Sequence, residues 1–203
     1  MWEYEENCWA EGFSTVCGVD EAGAGPLAGP VCAAAVVLPR HTQLRWLNDS
    51  KQVTPRRREI LFDEIQKIAL AWSVTMVSAE QIDKTDILSA RMEAMQRAIE
   101  DLVLTPDMAL IDGNRDKGKH FTLTAPHRCV VKGDSLSASI AAASILAKVS
   151  LDRYMVELAG KYPAYGFDQH KGYGTALHYE MLDRYGPCPE HRRSFLKKWE
   201  ARR

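Results

Sequence analysis

The amino-acid sequence predicts an α/β layer fold, in which helices cover a central β-sheet. Strand-like and helix-like segments alternate along the chain in the order ββ-α-β-α-β-β-α. The composition agrees, because 46% hydrophobic and 26% charged residues are ordinary for a globular chain of 203 residues. We expect a core over residues 1–159, with a smaller helical segment over residues 160–203 packed on it within one structural domain.

The predicted strands are short runs rich in β-branched and small apolar residues. Val16–Asp20 and Val31–Leu38 are joined by a connection rich in Gly and Pro, which predicts two neighbouring strands. Three further runs have the length and composition of strands: Trp72–Val77, Met108–Asp112 and His127–Lys132.

Helices are predicted where apolar residues recur at helical spacing. Thr54 and Pro55 suit the N-cap and first turn of a helix that continues to Leu70. A second helix is expected over about residues 86–103. The run 137–158 is rich in Ala, Ile and Leu and lacks Gly and Pro, which predicts a long and largely buried helix.

The apolar segments and the cysteines bear on the compartment. No apolar run approaches the ~20 residues that span a membrane, and the polar start is unlike a signal peptide. We therefore expect a cytoplasmic protein with no membrane partner. The five cysteines have no CxxC spacing, which argues against a zinc or redox motif. Cys17, Cys32 and Cys129 lie in apolar runs and are expected to be buried free thiols.

Acidic residues stand at predicted strand ends or just before a helix, the places where α/β sheets bind ligands. They are Asp20, Glu21, Asp112 and Asp134. Gathered carboxylates repel one another unless a cation lies among them, and oxygen ligands favour Mg²⁺ or Mn²⁺. Two such ions about 4 Å apart can activate a water and stabilise the leaving oxygen of a phosphodiester. The pattern favours a divalent-metal-dependent nuclease.

The same residues have plainer explanations. An acid at a strand end is commonly a turn or cap residue, and Asp134 could simply begin the long helix. Asp20 and Glu21 would point to opposite faces of a regular strand. Both reach one metal only if the strand ends or bulges there, which Gly23 and Gly25 would allow. A metal-dependent phosphatase or a DNA nuclease could use the same acids.

Seven motifs occur in one order between about residues 16 and 195. They are Gly18-Val-Asp-Glu-Ala-Gly, Pro26-Leu-Ala-Gly-Pro, Asn48-Asp-Ser-Lys, Val131-Lys-Gly-Asp-Ser, Ile140-Ala-Ala-Ala-Ser-Ile-Leu-Ala-Lys-Val, His170-Lys-Gly-Tyr-Gly-Thr and His191-Arg-Arg-Ser-Phe. Together they resemble bacterial ribonuclease HII, the type 2 ribonuclease H family. The resemblance implies a ribonuclease H-like fold, a mixed β-sheet flanked by helices with a small C-terminal helical appendage.

The resemblance also implies an activity. It is an endonuclease that hydrolyses the RNA strand of RNA–DNA hybrids by a two-metal-ion reaction. It also incises 5′ of single ribonucleotides in duplex DNA, in ribonucleotide excision repair, and leaves 3′-hydroxyl and 5′-phosphate ends. The catalytic and metal-binding residues are Asp20, Glu21, Asp112 and Asp134, with two Mn²⁺ or Mg²⁺ ions. No obligate protein partner is evident, and we expect a monomer.

Substrate-binding roles follow from the same resemblance. The backbone of Gly23-Ala24-Gly25 would read the 2′-hydroxyl, and Tyr173 would pack on the sugar that follows the ribonucleotide. Candidates for phosphate contacts are Lys51, Lys148, Arg192 and Arg193. Asp152 matches a further family acid, which we place behind the metal ligands. Each of these roles has a plainer explanation. Gly23 and Gly25 could simply form a tight loop between two strands, and Tyr173 could cover the core. Lys51 could be a solvated turn residue, and the Arg192-Arg193 pair could belong to a solvated tail. His170 and His178 are expected to be structural.

The chain departs from the family pattern at Ala24, where the family has arginine. Alanine supplies no guanidinium to a phosphate, so a charge-assisted contact should be missing. We expect weaker substrate binding and a reduced preference for a lone ribonucleotide, with hydrolysis retained. Two alternatives stay open at this point: a non-catalytic binder of RNA–DNA hybrids, and an enzyme confined either to hybrids or to single ribonucleotides.

Overall fold

One mixed β-sheet forms the centre of the protein, whose structure is a computed structural model that describes residues 1–202. Arg203, the last residue of the predicted C-terminal segment, lies outside them. The strands are β1 Val16–Ala22, β2 Val31–Val37, β3 Ala71–Val77, β4 Met108–Asp112 and β5 His127–Val130. The helices are α1 Glu3–Ala10, α2 Pro55–Ile68, α3 Ala79–Lys84, α4 Ile87–Glu100, α5 Gly133–Leu136, α6 Ala138–Lys161, α7 Phe167–His170, α8 Ala176–Tyr185 and α9 Arg193–Glu200. The α/β prediction is confirmed.

The strands lie in the order β3-β2-β1-β4-β5. The β1–β2 and β2–β3 pairs are antiparallel, whereas β1–β4 and β4–β5 are parallel. A short loop suffices for the antiparallel pairs, whereas the parallel pairs need a crossover. The carboxyl ends of β1 and β4 therefore lie at the same edge of the sheet.

Alternation along β2 sorts the core into two layers. Cys32, Ala34 and Val36 pack with α2 and α6, whereas the odd-numbered residues between Val31 and Val37 pack with α4. On β1, a Cβ at Gly18 would lie 2.0 Å from the carbonyl carbon of Ser139. The start of α6 therefore rests directly on β1, close to the strand's acidic end.

The first helix was missed by the sequence reasoning. Trp2 at its N-cap makes no side-chain cap bond, and the helix shows no clear apolar periodicity, so the sequence carries little signal. Its Glu5 is fully buried and accepts hydrogen bonds from Ser137 Oγ (2.6 Å) and Ser139 N (2.9 Å), which caps α6. Helix α1 thus fixes the start of the long helix.

Other boundaries differ in detail. Helix α4 ends at Glu100, three residues before the predicted 103. Thr54 stands at the N-cap of α2 but makes no side-chain cap bond. Cys17 and Cys32 are buried as expected. The expectation for Cys129 is wrong: it is exposed, because β5 is the edge strand of the sheet.

The C-terminal residues pack on the β1–β2 connection. Leu27 of that connection forms a small apolar cluster with Leu182, Leu196 and Trp199 of α8 and α9. Helix α6 continues to Lys161, so the predicted boundary after residue 159 lies within its last turn. Among residues 1–202, no helix combines the length and apolar character that a bilayer crossing requires.

Candidate active site

The acidic residues meet where two parallel strands separate. The pairing of β1 with β4 ends at Val19 and Ile111, and the next residue of each strand is an aspartate, Asp20 and Asp112. Ladder hydrogen bonds no longer hold the strands together beyond that point. The two carboxylates therefore face a crevice at the carboxyl edge of the sheet.

Asp134 comes to the same crevice from the turn before α6. Lys132 adopts the left-handed conformation (φ 58°), which turns the chain into the short helix α5. The backbone N–H of Asp134 points to Asp112 Oδ1 at 3.4 Å. One carboxylate oxygen each of Asp20, Asp112 and Asp134 lies within 4.8 Å of the others. The cap explanation for Asp134 is therefore wrong, since Ser137 caps α6 and the Asp134 carboxylate joins the cluster.

Glu21 lies on the other face of the sheet. β1 continues regularly through it, pairing Asp20 with Ala34 and Glu21 with Ala33, so the possible bulge does not occur. Glu21 Oε1 forms an ion pair with Arg91 of α4, while Glu21 Oε2 and Arg91 Nε are buried without a hydrogen-bond partner among the described residues. Glu21 thus stands beside the cluster, on its α4 side.

The pKa values report the repulsion within this group. Burial, followed by the charges of Glu21 and Asp112, raises the pKa of Asp20 well above its usual range. Burial and then Asp112 and Asp49 raise the pKa of Asp134 to about 6, although Lys51 opposes the shift. Burial also raises the pKa of Glu21, and Arg91 offsets part of this effect.

A divalent cation fits these residues. The three oxygens converge within 4.8 Å, the donors are all carboxylates, and the charged forms are destabilised by burial and by one another. A positive ion among them would relieve that repulsion and lower the pKa values. Asp20, Asp112 and Asp134 would hold it, and Glu21 is placed to contribute from the α4 side.

A cleft of about 330 Å³ opens beside the carboxylates. It is lined by Asp20, Glu21, Ala22, Gly23, Ala24, Gly25, Ser50, Lys51, Ser144, Lys148 and Tyr173. The structure therefore brings Asp20, one of the three acids of the cluster, and Glu21 together with the predicted sugar-reading loop, both predicted lysines and the predicted tyrosine. Tyr173 is 47% exposed, and a Cβ placed on Gly25 would be 3.6 Å from its ring atom Cε1.

The loop 23–25 is held from below by Arg192. The Arg192 guanidinium donates to the carbonyls of Gly23 (2.7 Å), Ala24 (3.2 Å), Gly29 (2.9 Å) and Pro30 (2.9 Å). Arg192 is fully buried, and burial lowers its pKa to about 10. The prediction that it contacts phosphate is wrong, because its donors are engaged within the protein and water does not reach it.

The loop also needs glycine at its first position. Gly23 has φ +91°, and a Cβ there would lie 2.9 Å from the carbonyl oxygen of Pro30. An L side chain would be strained in that conformation as well as crowded. The tight-loop explanation for Gly23 therefore holds, and the loop shape is independent of any ligand.

The cationic candidates occupy different positions. Burial lowers the pKa of Lys51, but nearby carboxylates, Asp49 first, raise it above its ordinary value. Lys148 lies 2.6 Å from Asp152 Oδ1, and Arg58 is 3.9 Å from the other oxygen of Asp152. Asp152 is therefore an ion-pair partner of the cleft lysine. Arg193 is exposed on α9, 3.9 Å from Glu200, and its backbone N–H bonds Asp83.

Sequence reasoning missed several neighbours of the acids. Arg91 pairs with Glu21, and Asp49 approaches Asp134. Ser144 Oγ lies 2.8 Å from Ser50 Oγ, and its hydrogen bond to Asp20 lowers the pKa of that carboxyl. Asp49 and Ser144 lie inside two of the quoted motifs, which was an available signal. Arg91 lies in none of them, so only the packing of α4 reveals it.

Comparison with solved structures identifies the class of fold. The protein resembles the crystal structure of ribonuclease H2 from Pyrococcus horikoshii, with a TM-score of 0.76 and 29% sequence identity. The match covers 93% of this chain and 98% of that one. The mixed sheet and flanking helices are those of a ribonuclease H-like enzyme.

The sequence comparisons give the family. Residues 17–199 match the model of the family Ribonuclease HII. The chain is 53% identical over 195 residues to ribonuclease HII of Caldicellulosiruptor bescii, covering 96% of this chain and 93% of that protein. It is 54% identical over 186 residues to ribonuclease HII of Burkholderia mallei, covering 92% and 85%. The chain belongs to the ribonuclease HII family and is a ribonuclease H, an enzyme class that acts on RNA–DNA hybrids and depends on a divalent metal.

Proposed function

We propose that this ribonuclease H cuts the RNA strand of hybrids internally and also incises 5′ of a single ribonucleotide in duplex DNA. The products are 3′-hydroxyl and 5′-phosphate ends, and the role is ribonucleotide excision repair in the cytoplasm, performed as a monomer. The observation that carries the proposal is that Asp20 of the carboxylate cluster lines one cleft with Glu21, the Gly23–Gly25 loop and Tyr173. Cutting and sugar-reading groups are then within reach of one nucleotide.

Asp20, Asp112 and Asp134, joined by Glu21, are the proposed catalytic residues and would hold two divalent ions, Mn²⁺ or Mg²⁺. Bound metal would supply an activated water and stabilise charge on the leaving oxygen. The protein's own contribution is placement. The splayed ends of β1 and β4 fix two carboxylates, and α5 fixes the third. Arg91 holds Glu21 against the sheet by pairing with one oxygen.

The sugar would be read by the backbone of residues 23–25. Arg192 already occupies the carbonyls of Gly23 and Ala24, so the amide N–H groups of this loop are the donors we propose for the 2′-hydroxyl. The same buried guanidinium also bonds to Gly29 and Pro30 at the far end of the β1–β2 connection, so the loop is held in place before substrate arrives. A rigid loop discriminates well, because it cannot adapt to a sugar that lacks the hydroxyl.

Tyr173 would pack on the deoxyribose that follows the ribonucleotide. Its ring lies against Gly25 and is half exposed, so one face is available in the cleft. Ring stacking tolerates any base, as a repair enzyme requires. Lys51 and Lys148 are the cleft cations placed to meet the phosphates, and exposed Arg193 would contact the duplex farther away.

Three duplexes of one sequence test the proposal: one with a single ribonucleotide, a long RNA–DNA hybrid and an all-DNA control. With Mn²⁺ or Mg²⁺, we expect cleavage 5′ of the single ribonucleotide, internal cuts in the hybrid and none in DNA. A polymerase should extend the 3′ ends. Asp20→Asn should abolish both cuts, whereas Asp107→Asn, just before the opposite end of β4, should retain them.

Each alternative has its own outcome. Cutting of all-DNA duplex would indicate a DNA nuclease, and release of terminal phosphate alone would indicate a phosphatase. Binding of hybrid without cleavage would indicate a non-catalytic binder. Retained metal-dependent cleavage in Asp20→Asn would remove the carboxylate cluster from the mechanism. Cleavage of one substrate only would narrow the proposed range.

A further inference from the structure

Three histidines lie buried together beneath the loop that carries Tyr173. His170, His178 and His191 are 9%, 0% and 2% exposed. The rings of His170 and His178 stack with their centroids 4.3 Å apart, and His178 Nε2 lies 3.0 Å from His191 Nε2. Buried polar rings are costly unless each nitrogen has a hydrogen-bond partner, and here all six nitrogens have one.

The hydrogen bonds of His191 and His178 can run in one direction only. The Cys188 backbone N–H, which can only donate, lies 3.0 Å from His191 Nδ1. His191 Nδ1 is then the acceptor, and its proton resides on Nε2. His178 Nε2 must accept that proton's hydrogen bond, so His178 carries its own proton on Nδ1. That N–H donates to the carbonyl of Tyr173 at 2.9 Å.

His170 holds the same loop from the other side. Its Nδ1 accepts the backbone N–H of Gly172 at 3.2 Å, and its Nε2 donates to the Tyr165 carbonyl at 2.7 Å. The carbonyl of Gly172 accepts from Leu27 N at 2.8 Å, and a Cβ on Gly172 would lie 2.4 Å from the Ala28 oxygen. The peptide group before Tyr173 is thus held by Leu27, and the peptide group after it by His178. Neither contact involves the tyrosine ring.

Neutral histidines keep this chain intact. Burial, and then the neighbouring histidine charge, lowers the pKa of His191 to about 4, and burial lowers that of His178 to about 4. A proton added to His178 Nε2 would set two N–H groups against each other across 3.0 Å. Packing alone would be served equally well by apolar rings, whereas a directed chain ending on one carbonyl specifies a single loop geometry.

We propose that His191 and His178 form a directed hydrogen-bond chain that positions Tyr173 for the sugar following the ribonucleotide. They act as positioning residues through the Tyr173 carbonyl, and His170 braces the adjoining peptide. The inference rests on the proposed role of Tyr173 in recognising the RNA-to-DNA step. It extends that role to residues that do not touch the substrate.

The first test reads the tautomers directly, without activity. Long-range ¹H–¹⁵N correlation spectra of the ¹⁵N-histidine-labelled protein at neutral pH distinguish protonated from unprotonated ring nitrogens. We expect His178 protonated on Nδ1 and His191 on Nε2, with assignment by His178→Phe and His191→Phe. The same tautomer in both residues, or a positively charged ring in either, would overturn the chain whatever the enzyme cleaves.

The second test asks whether the chain acts through Tyr173. His178→Phe keeps an aromatic ring but removes both hydrogen bonds of the imidazole, and we expect KM for a single-ribonucleotide duplex to rise about tenfold with little change in kcat. The KM for a long hybrid, whose cleavage site is followed by ribose, should change less. In a Tyr173→Ala background, His178→Phe should have almost no further effect.

Controls separate this inference from the function it depends on. His127, the first residue of β5, also bonds through its ring to a backbone carbonyl, that of Ala125 at 2.7 Å. As a matched control, His127→Phe should leave both KM values unchanged. Additive effects of His178→Phe and Tyr173→Ala, or equal losses on both substrates, would refute a positioning role. If the unmodified enzyme fails to cut at single ribonucleotides, the proposed function fails, and the tautomer spectra still decide whether the chain exists.

Discussion

The two ends of the cleft are built in opposite ways. At one end, Asp20 and its neighbouring carboxylates are buried close together, and burial and mutual repulsion raise their pKa values. At the other end, Arg192 and the buried histidines have their polar groups matched to hydrogen-bond partners. The first region is under electrostatic stress, and the second is internally satisfied.

The contrast follows from what each region has to do. Carboxylates that bind a cation must be gathered before the cation arrives, so their repulsion is stored in the protein without metal. Groups that recognise a sugar discriminate best when they are fixed in advance, so they are held by complete hydrogen-bond networks. Removing a charge from the carboxylate cluster should therefore raise the free energy of unfolding. Removing a hydrogen-bonding group from the region of Arg192 and the histidines should lower it.

The largest effect should come from breaking the satisfied region at Arg192. Arg192→Met leaves four carbonyls without their donor, three of them buried, and we expect the free energy of unfolding to fall by on the order of 3–5 kcal/mol. Chemical denaturation measures this loss. The variant should also bind substrate more weakly, because Gly23 and Ala24 lose the contact that fixes their loop.

Arg193→Met is the matched control for that experiment. Arg193 is exposed and its guanidinium lies 3.9 Å from Glu200, so its removal should change stability by about 0.5 kcal/mol or less. Equal stabilities of the Arg192→Met and Arg193→Met proteins would contradict the structural role of the buried guanidinium. Arg192→Lys should fall between them, since an ammonium has three donors and lacks the planar fork.

The stressed region should respond in the opposite sense. Without metal at pH 8, Asp134→Asn should raise the free energy of unfolding by on the order of 2 kcal/mol, because it removes a charge whose pKa is raised to about 6. Cleavage should fall by more than about a hundredfold, since even groups behind metal ligands contribute tenfold to a hundredfold. Thermal melts and initial rates measure the two effects.

The pH dependence of the stabilisation expected for Asp134→Asn tests whether the raised pKa of Asp134 causes it. Between the ordinary carboxyl pKa of 3.8 and about 6, the folded protein binds more protons at Asp134 than the unfolded chain does. Stability therefore falls as pH rises through this window, and the advantage of Asp134→Asn should appear above it and vanish near pH 4. Mn²⁺ or Mg²⁺ should stabilise the unmodified protein more than the variant.

Asp152→Asn is the control for Asp134→Asn, because it neutralises an aspartate that has cationic partners. Asp152 pairs with Lys148 and Arg58, so its neutralisation should lower stability slightly at pH 8. A stabilised Asp152→Asn protein, or a destabilised Asp134→Asn protein at pH 8, would show that the two carboxylates do not differ as the geometry requires.

The carboxylate cluster was more predictable from the sequence than the region of Arg192 and the buried histidines. Acids at strand ends are visible in a linear pattern, and Asp20, Asp112 and Asp134 converge because parallel strands end at one edge of a sheet. The separation of Asp20 from Glu21 also follows from strand alternation. Gly23 and Gly25 would allow a bulge there, and the regular pairing of β1 with β2 shows that none forms.

The satisfied region was not predictable in the same way. Arg192 bonds to Gly29 across 163 positions of sequence, and an arginine pair near the end of a chain gives no sign of burial. His170 and His178 were expected to be structural, and they are buried, but their link to Tyr173 depends on tertiary contacts. Helix α1 was missed because its stabilising contact, Glu5 with Ser137, is also distant in sequence.

The smallest expected effect concerns Ala24, which lies in the cleft between the two regions. Ala24→Arg would add a cation above a loop whose backbone is already fixed, so the gain should come from a phosphate contact alone. We expect substrate affinity to improve by about 1 kcal/mol, roughly fivefold, and the slope of log K against log salt to steepen by about one. Preference for a lone ribonucleotide over a long hybrid should increase.

Ala24→Met matches much of the length without the charge and should leave the salt slope unchanged. Unaltered affinity and cleavage pattern in Ala24→Arg would show that Ala24 costs the enzyme nothing, and that the rigid loop and Tyr173 suffice for recognition.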